Sequence, residues 1–386
     1  MNILHVIGTL DPDLGGLPMV AACLAAAQAG AQHEVAVIHH SDEAVEARIE
    51  KAMGRLPHFA QVKRITLPAS AGGMSGRGLG ARVERAIANI DIIHMHGVWE
   101  PLLRITGRCA QKAAVPYVLC PHGMLDPWCL SQKRFKKRLA LMMGYRAMLN
   151  GVAFLHTLNR DEARLIEPLR LTPPTRVIPN GVFLEEIEPL PQPGGFYESQ
   201  PQLAGRPFVL FLSRLHYKKG LDYLADAFAR AAARIDDLQL VVAGPDDGAR
   251  RPFEQQVKSA GLEERVHLTG PIYGPAKFAA MVDAQCFCLP SRQEGFSVAV
   301  TEAMACGLPV VITHACHFPE VAEVAAGRVV DEDPDQIADA LLHICGDEAA
   351  RVKMSAAGRK LVAERFTWNS IAQLAVDGYQ QFVNPR

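Results

Sequence analysis

Short apolar runs alternate with longer stretches typical of helices along almost the whole chain. The runs NILHVIG, HEVAVIHH, DIIHMHG, PYVLCPHG, VAFLHTLN and RVIPNG predict strands in the first half. FVLFLSR, LQLVVAG, RVHLTG, QCFCLPS, LPVVIT and GRVV predict strands in the second half. Stretches such as MVAACLAAAQAG and KGLDYLADAFARAAARI predict helices between them. Strands that alternate with helices indicate parallel sheets, so we expect an α/β protein with doubly wound domains.

A change of composition divides this pattern into two halves. A chain of 386 residues is too long for one hydrophobic core. Residues 189–206 are rich in proline, glycine and glutamine, which predicts a linker between domains at 1–188 and 207–365. Residues 366–386 predict a final amphipathic helix with aromatic anchors. Ligands of doubly wound sheets bind at the carboxyl ends of the strands, so candidate residues are those that directly follow each strand.

Composition excludes several classes of protein. The formal net charge of −1 gives no electrostatic reason to expect nucleic-acid binding. The nine cysteines include no C-x-x-C pair, and the opening MNILHVIGTL lacks a basic region and a cleavage site. Both features favour free thiols and a cytoplasmic location. No apolar run reaches the ~18 residues that span a bilayer, although binding to a membrane surface stays open.

Two places in the sequence could bind phosphate, although G-x-G-x-x-G and Walker A motifs are absent. Gly15 and Gly16 could bring backbone N–H groups to a phosphate at the next helix, or could simply form a flexible turn. Arg214 ends a predicted strand and Lys219 begins the next helix. This pair would suit a diphosphate, and the alternative is two solvated surface cations.

Glu294 and Glu302 stand eight residues apart around the start of a predicted helix, FSVAVTEAMACG. The first free N–H groups of that helix are expected from Gly295 to Ser297, which would make a second anion site. Eight helical residues rise about 12 Å. A diphosphate at the helix N-terminus would then have a carboxylate near each end, one for a ribose diol and one for sugar hydroxyls. Alternatively, Glu294 is only a negative charge that the helix dipole stabilises at the N-terminus, and Glu302 faces solvent. The apolar surroundings of Glu302 instead predict a half-buried carboxylate that needs a donor.

These segments resemble a known family. EGFSVAVTEAMACGLPVV is similar to the E-x7-E signature of retaining GT-B glycosyltransferases of the glycosyl-transferase group 1 (family 4) type. SRLHYKKG resembles the R-x4-K-G element of the same family, and the glycine pair, VIPNGV and FTWNSIA also fit. The resemblance covers essentially the whole chain. It implies two Rossmann-like domains facing across a cleft, with an N-terminal acceptor domain, a C-terminal donor domain and a last helix that crosses back.

The resemblance also implies roles for individual residues. Arg214 and Lys219 would bind the donor diphosphate and stabilise the leaving nucleotide. Glu302 would hold the ribose, and Glu294 would contact the transferred sugar near the reacting carbon. His122, in CPHGM, matches a family position near the sugar, and its alternative is a satisfied turn histidine. The residues expected to surround the phosphate, mainly through backbone N–H groups, are Gly15, Gly16, Gly295, Phe296 and Ser297.

The implied activity is transfer of a hexose from a nucleotide-diphosphate sugar to a hydroxyl of a glycan or lipid-linked acceptor. By analogy with the family, we expect a role in surface polysaccharide or lipopolysaccharide biosynthesis. Negative charge develops on the leaving phosphate, and cations with helix N-termini would stabilise it. The family's retention is described as a front-face reaction, so Glu294 is not expected to become a covalent nucleophile. The donor base, the sugar, the acceptor and the linkage are left open.

We expect neither a metal nor a cofactor besides the sugar nucleotide. Asp11 and Asp13 spell D-x-D in the glycine loop, and Asp333-Pro-Asp335 repeats it in a turn, but neither has the context of a metal–diphosphate site. His94 and His96 share one strand face without a third ligand that the sequence identifies, which favours packing at the strand end. His96 could also line the acceptor site.

One segment of the first half predicts a basic helix with apolar residues, DPWCLSQKRFKKRLALMMGYRAML. Such a face can lie on anionic lipid, so the protein could be peripheral on the inner face of the cell membrane. Alternatively, the cations are a solvated face or hold an anionic acceptor. The residues expected on this face are Trp128, Lys133, Arg134, Lys136 and Lys137.

Other functions use related features. A sugar-nucleotide epimerase shares the architecture, and a phosphorylase would need a pyridoxal lysine that the sequence does not identify. A non-catalytic subunit that binds nucleotide sugars is an alternative from another class. A glycoside hydrolase also uses two carboxylates but does not need diphosphate-binding cations.

Overall fold

A computed structural model describes residues 1–68, 78–203 and 205–383. The chain forms two compact units, which are described separately. The first unit combines Met1–Gly181 with Trp368–Arg386, and the second is Val182–Thr367. Residue 204 of the predicted linker and residues 384–386 of the predicted last helix lie outside the described residues.

The strands agree with the apolar runs of the sequence, apart from one addition in the first unit. Those of the first unit are β1 Asn2–Val6, β2 Glu34–Ser41, β3 Lys63–Pro68, β4 Ile92–His96, β5 Tyr117–Cys120, β6 Leu155–Thr157 and β7 Thr175–Val177. Those of the second unit are β8 Phe208–Leu212, β9 Gln239–Ala243, β10 Val266–Gly270, β11 Cys286–Leu289, β12 Val310–Thr313 and β13 Gly327–Val330. The added strand is β3, a sheet edge with only one buried residue, and so it lacks the apolar run that identifies the others.

Helices separate the strands in both units. In chain order they are α1 Gly16–Gly30, α2 Glu43–Met53, α3 Leu79–Ile87, α4 Pro101–Ala113, α5 Pro127–Ser131, α6 Arg134–Ala140, α7 Arg146–Asn150, α8 Arg160–Ile166, α9 Gly195–Ser199, α10 Leu221–Ala232, α11 Arg250–Ser259, α12 Pro275–Asp283, α13 Val298–Ala305, α14 Glu320–Glu323, α15 Pro334–Gly346, α16 Glu348–Arg365 and α17 Trp368–Gln380. Helix α17 packs on α1 and belongs to the first unit.

Each unit contains one parallel sheet with a point where the order of the strands reverses. The first sheet has the order β3-β2-β1-β4-β5-β6-β7, and the second has the order β10-β9-β8-β11-β12-β13. Strands β1 and β8 are each followed in sequence by a neighbour on one side and later by β4 or β11 on the other. This is the doubly wound arrangement predicted from the sequence. Its ligand position is the crevice outside the carboxyl ends of β1 and β4, or of β8 and β11.

The cores lie between these sheets and their helices. Strands β4, β5, β9 and β11 are buried along their whole length, as expected for central parallel strands with helices on both faces. Apolar side chains fill both cores, but β1 and β4 also bury three histidines among them: His5, His94 and His96. A cluster of polar rings in a core needs hydrogen-bond partners, which are described below.

The predicted linker is part of the second unit rather than a free connection. The carboxylate of Asp283 accepts hydrogen bonds from the backbone N–H groups of Gly194 (2.6 Å) and Phe196 (2.8 Å). The ring of Phe196 is buried against Phe208, with 5.6 Å between the centroids. The composition of the segment is loop-like, but its buried ring packs on β8 and the carboxylate of Asp283 holds it to the end of α12.

The predicted basic helix is broken into shorter pieces. Helices α5 and α6 are separated at Lys133, which has a left-handed backbone (φ 52°). A further break lies at Gly144 (φ 105°), between α6 and α7. Both residues occupy a conformation that a continuous right-handed helix cannot contain.

Candidate active site

Lys219 and Glu294 follow the two strands that flank the reversal point of the second sheet. Lys219 lies in the turn between β8 and α10, and Glu294 lies in the loop between β11 and α13. Their side chains form an ion pair, with 2.5 Å between Lys219 Nζ and Glu294 Oε1. The side chains are only 15% and 9% exposed, respectively. The structure thus brings together one cation and one carboxylate that were predicted separately, at the expected ligand position.

Glu294 has one oxygen committed to the protein and one available. The hydroxyl of Ser291 donates to the same Oε1 atom at 2.7 Å. The backbone N–H of Glu294 donates to the carbonyl of Ala315 at 3.0 Å, which fixes the loop against the end of β12. Among the described residues, no donor bonds to Oε2 of Glu294. A carboxylate held in this way can accept a hydrogen bond from a hydroxyl group.

Arg292 joins the two loops that carry this ion pair. Its guanidinium bonds to Asp222 at 2.5 Å and to the carbonyl of Tyr217 at 2.9 Å. It also lies over the rings of Tyr217 and Tyr223, 4.2 and 3.9 Å from their centroids. Burial acts to raise the pKa of Asp222, but the hydrogen bond and charge of Arg292 lower it on balance. Arg292 was not recognised from the sequence, because a single arginine in a loop has no distinguishing pattern.

Gly220 allows the same two loops to approach closely. Its backbone is left-handed (φ 68°), and a Cβ atom there would lie 1.9 Å from the carbonyl oxygen of Pro290. That oxygen belongs to the backbone that leads to Glu294, so it cannot move aside without moving the loop. The glycine of the K-K-G sequence therefore has a steric reason, which is close contact between the β8 and β11 loops.

Glu302 forms a second half-buried ion pair, with Lys277 of α12. Lys277 Nζ lies 2.6 Å from Glu302 Oε1, and the side chains are 19% and 15% exposed, respectively. The sequence indicated that Glu302 would need a donor, and Lys277 supplies it. Lys277 itself was missed, since nothing in PIYGPAKFAAM distinguishes one lysine from a solvated one. No other described residue bonds to the second carboxylate oxygen of Glu302.

The N-terminus of α13 lies slightly further along the chain than predicted. The helix begins at Val298, and the side chain of Ser297 accepts a hydrogen bond from the N–H of Val300 at 3.4 Å. Ser297 is thus the N-cap, which is the usual role of serine at this position. Among the described residues, the N–H groups of Val298 and Ala299 have no acceptor. The same is true of Phe296 and Ser297, so the donors without an acceptor extend from Phe296 to Ala299 and include two of the three residues that the sequence predicted.

Gly295 and Phe296 precede the N-cap of α13. The ring of Phe296 packs against Phe318 and Phe366, with centroid distances of 5.3 and 6.1 Å. Gly295 is exposed beside it. The aromatic contacts fix the direction in which the chain enters α13, so Phe296 acts through its side chain as well as its backbone.

Arg214 does not join Lys219. Its guanidinium bonds to Asp247 at 2.7 Å, and 63% of its side chain is exposed. An exposed pair of this kind contributes little to stability, so Arg214 can exchange its partner at small cost.

The predicted glycine loop of the first unit lies after β1, at the other reversal point. Gly15 has a φ of 101° and precedes α1, and Gly16 is the first residue of that helix. No atom lies within 4 Å of a Cβ added at either glycine. Both carboxylates of the nearby D-x-D sequence, Asp11 and Asp13, bind Arg48, at 2.6 and 3.2 Å. The acidic pair therefore holds the loop to α2.

His122 lies in the turn directly after β5, with a left-handed backbone (φ 52°) and a partly exposed side chain. Its Nε2 atom is 3.2 Å from Nδ1 of His96. For His96 the sequence favoured packing at the strand end, with the acceptor site as the alternative. The ring is buried and both of its nitrogens have partners, so His96 packs in the core and does not lie on an acceptor-facing surface. His122 is the member of this group that reaches the surface.

A third histidine joins His94 and His96, although the sequence offered none. His5 of β1 lies opposite His94 in the sheet, and one nitrogen from each of the three rings falls within 4.8 Å of the others. The rings are stacked, with interplanar angles of 3°, 17° and 19°. Metal binding needs lone pairs in the ring planes that converge on one point, and stacked rings do not provide this. Hydrogen bonds occupy these nitrogens instead.

The basic segment presents apolar side chains beside its cations. Phe135 and Met142 are 84% and 85% exposed, and Trp128 is also exposed. Lys137 differs from the prediction, because its ammonium group bonds to the carbonyl of Cys129 at 2.5 Å and lies 5.4 Å from the ring centroid of Trp99. The cations that remain exposed on this face are Lys133, Arg134, Lys136 and Arg138. Within the described ranges, no helix has both the length and the apolar content needed to cross a bilayer.

Comparison with known proteins matches each unit to a family model of glycosyl transferases. Residues 197–361 match the family model of glycosyl transferases group 1, and residues 15–181 match that of the glycosyl transferase 4-like domain. The Anabaena protein HepE, solved in complex with UDP, has a TM-score of 0.78 and 20% identity, covering 99% of this chain and 100% of HepE. This likeness shows the GT-B fold.

Two sequence relatives are also glycosyltransferases. The phosphatidyl-myo-inositol mannosyltransferase of Mycobacterium leprae is 33% identical over 213 residues, 53% of this chain. The match spans about half, 52%, of that relative. The GDP-mannose:cellobiosyl-diphosphopolyprenol alpha-mannosyltransferase of Xanthomonas campestris is 24% identical, covering 98% of this chain and 96% of that protein. With both family models matched and the predicted fold present in each unit, the chain belongs to the group 1 glycosyl transferases.

Proposed function

We propose that the protein transfers a hexose, with retention and without a metal, from a nucleotide-diphosphate sugar to a hydroxyl of a lipid-linked or glycan acceptor. The observation that carries this proposal is the half-buried Lys219–Glu294 pair at the reversal point of the second sheet. One cation for a phosphate and one carboxylate for a sugar hydroxyl are the two groups that a sugar nucleotide requires there.

The surrounding groups fit the same substrate. Lys219, the free N–H groups at the start of α13 and the exchangeable Arg214 would stabilise negative charge on the leaving diphosphate. Glu302 would accept from the ribose hydroxyls, with Lys277 holding its other oxygen. Glu294 would accept from a hydroxyl of the transferred sugar near the reacting carbon. No described residue of this site supplies an activated nucleophile, which favours the front-face route in which the leaving phosphate takes the acceptor proton.

The names of the relatives reduce the range of donors and acceptors to consider. One relative uses GDP-mannose, and the acceptors named for the two are phosphatidylinositol and a diphosphopolyprenol glycan. We therefore infer a mannosyl donor and a lipid-linked acceptor, in the assembly of a surface polysaccharide or lipopolysaccharide. GDP-mannose is the first donor to test.

The test is a thermal-shift panel of GDP, UDP and ADP sugars on the wild-type protein and on Lys219→Ala. We expect one donor to raise the melting temperature of the wild type and Lys219→Ala to remove the shift. Lys218→Ala is the matched control, since it removes the neighbouring cation and should keep the shift. If no sugar nucleotide binds at millimolar concentration, the donor site is refuted.

Turnover separates the enzyme from a silent binding subunit. The donor that binds should lose its sugar to an acceptor lipid extract, or slowly to water, and nucleoside diphosphate should appear. Binding without any release of nucleoside diphosphate would favour the binding subunit. Interconversion of the sugar, with no transfer, would favour a sugar-nucleotide epimerase.

We also propose that the 128–143 face rests on anionic lipid at the inner face of the cell membrane. The face combines the exposed rings and thioethers of Phe135, Met142 and Trp128 with the four exposed cations, as surface-binding segments do. Co-sedimentation should be strong with vesicles containing phosphatidylglycerol and weak with pure phosphatidylcholine. Phe135→Ser with Met142→Ser should reduce it, and equal binding to both vesicle types would contradict the proposal.

A further inference from the structure

A continuous row of polar side chains crosses the interior of the first unit and ends at His122. It consists of five imidazole rings, one amide and one phenol, each hydrogen-bonded to the next. In order, the row runs from the carbonyl of Ile178 through His156, His94, Tyr379, Gln28, His5 and His96 to His122. The seven links measure 2.6, 3.2, 2.5, 3.1, 2.7, 2.8 and 3.2 Å. The row connects strands β1, β4 and β6 with helices α1 and α17.

The interior end of the row sets the direction of every hydrogen bond. The carbonyl of Ile178 can only accept, so His156 carries its proton on Nε2. A neutral His156 then accepts at Nδ1, and His94 must donate from its own Nε2. His94 accepts in turn at Nδ1, which requires the hydroxyl proton of Tyr379. A neutral imidazole donates from one nitrogen and accepts at the other, so the direction of one hydrogen bond fixes the direction of the next.

The same order continues to the surface. The oxygen of Tyr379 accepts from the amide N–H of Gln28, and the amide oxygen of Gln28 accepts from Nε2 of His5. His5 accepts at Nδ1 from Nε2 of His96, and His96 accepts at Nδ1 from Nε2 of His122. All five rings thus carry the proton on Nε2. The last ring, His122, has its Nδ1 lone pair left over, and no described residue bonds to it.

Burial keeps these rings neutral. It lowers the pKa of His5 and His156 to about 4 and that of His122 to about 3. The pKa values of His94 and His96 are also well below the usual range, because burial and the neighbouring rings disfavour charge. The protein therefore contains the single-proton rings that the argument requires at neutral pH.

We propose that this row is a tautomer lock, which keeps the proton of His122 on Nε2 and leaves its Nδ1 lone pair as a fixed hydrogen-bond acceptor at the carboxyl end of β5. The tautomer does not rest on the proposed function, since it follows from the carbonyl of Ile178 and the order of the links. His5, His94, His96, His156, Gln28 and Tyr379 are then positioning residues, which act through His122.

The lock is tested by nitrogen NMR of the side chains, on full-length protein labelled with ¹⁵N-histidine and without any ligand. His122 is assigned by its loss in His122→Asn. We expect its Nδ1 to show the shift of an unprotonated nitrogen and its Nε2 that of a protonated one at pH 7.5. A proton on Nδ1, or averaged shifts, would overturn the proposal, and this measurement needs only the wild-type fold.

Tyr379→Phe tests whether the row is what fixes the tautomer. Without the hydroxyl, nothing in the row fixes which end of the Gln28 amide faces His5. We therefore expect the nitrogen shifts of His5, His96 and His122 to move toward averaged values. Tyr117→Phe is the matched control, since Tyr117 also accepts from a glutamine amide and donates to a carbonyl, at 2.8 Å each, but lies outside the row. Unchanged shifts in Tyr379→Phe, as in the control, would refute the lock.

Discussion

At the scale of single residues, Glu294 carries the sharpest prediction. We expect Glu294→Gln to abolish sugar transfer, because the amide removes the negative charge beside Lys219 and beside the positive charge that develops on the sugar. Steady-state release of nucleoside diphosphate, with the identified donor, measures the effect. Glu263→Gln, an exposed substitution of the same kind, should leave the rate unchanged.

The same variant also tests the reaction route. In a front-face reaction, no covalent sugar forms on the protein at any stage. Intact-protein mass spectrometry of the wild type and of Glu294→Gln should therefore show no glycosyl adduct during turnover. An adduct mapped to Glu294 in the wild type would show that the residue is a nucleophile and that our assignment is wrong.

Residues of the site differ in how far the sequence revealed them. Lys219 and Glu294 were predicted because each follows a strand and precedes a helix, and Glu302 because it follows Glu294 by eight residues within an apolar helix. Lys277 and Arg292 were not, since each depends on a partner far away in the chain, Glu302 or Asp222. His5 was missed for the same reason, because only the pairing of β1 with β4 places it beside His94. Their roles follow from tertiary neighbours, which one sequence does not contain.

At the scale of elements, the turn between β8 and α10 predicts a strong effect for Gly220→Ala. The new Cβ would collide with the carbonyl oxygen of Pro290 at 1.9 Å in addition to straining the left-handed backbone. We expect the free energy of unfolding to fall by more than the roughly 1–3 kcal/mol of backbone strain alone. Donor binding should weaken as well, because the loops that carry Lys219 and Glu294 must separate. Urea unfolding and thermal shift measure the two effects.

Gly261→Ala is the matched control for that substitution. Gly261 has nearly the same backbone angle, φ 67°, but no atom lies within 4 Å of its added Cβ. It therefore reports the backbone strain without the collision. If both variants lose the same stability and both bind the donor normally, close approach of the two loops is not the reason for the glycine.

The elements differ in whether the local hydropathy pattern was sufficient to predict them. Central strands were found because they are buried on both faces and form continuous apolar runs. The edge strand β3 and the broken basic segment were not, since a half-exposed strand and a left-handed lysine leave little trace in hydropathy. The predicted linker contained Phe196, a buried anchor that its proline-rich surroundings concealed.

At the scale of the whole molecule, alternation of strands and helices was enough to predict two doubly wound sheets. It did not predict that a row of polar side chains crosses the apolar core of the first unit. The histidines of β1, β4 and β6 stand in apolar strands, and their pairing depends on register and on Tyr379 of α17, almost 300 residues from His94. The first unit therefore needs its C-terminal helix to complete a buried hydrogen-bond row.

That row predicts that acid destabilises the first unit. Histidines of an unfolded chain titrate near 6.5, whereas the folded pKa is about 4 for His5 and His156 and about 3 for His122. As pH falls from 6.5 toward 4, the histidines of the unfolded chain become protonated while the folded rings stay neutral. The contribution of these rings to the free energy of unfolding is therefore complete above pH 6.5 and declines below it. Each such ring contributes at most about 1.4 kcal/mol per pH unit. Tyr379, Cys120 and the carboxylate of Glu162 are the other titratable groups around the row.

Hydrogen exchange at pH 7.5, 6.0 and 5.0 measures this prediction unit by unit. We expect amides of β1, β4 and α17 to lose protection between pH 6.5 and 5, while amides of β8 and β11 lose less, since no histidine row lies in the core of the second unit as described. Urea midpoints should fall over the same range. If the midpoint and the protection of β4 stay constant down to pH 5, the rings accept protons without cost. The neutral row, and with it the fixed tautomer of His122, would then be excluded.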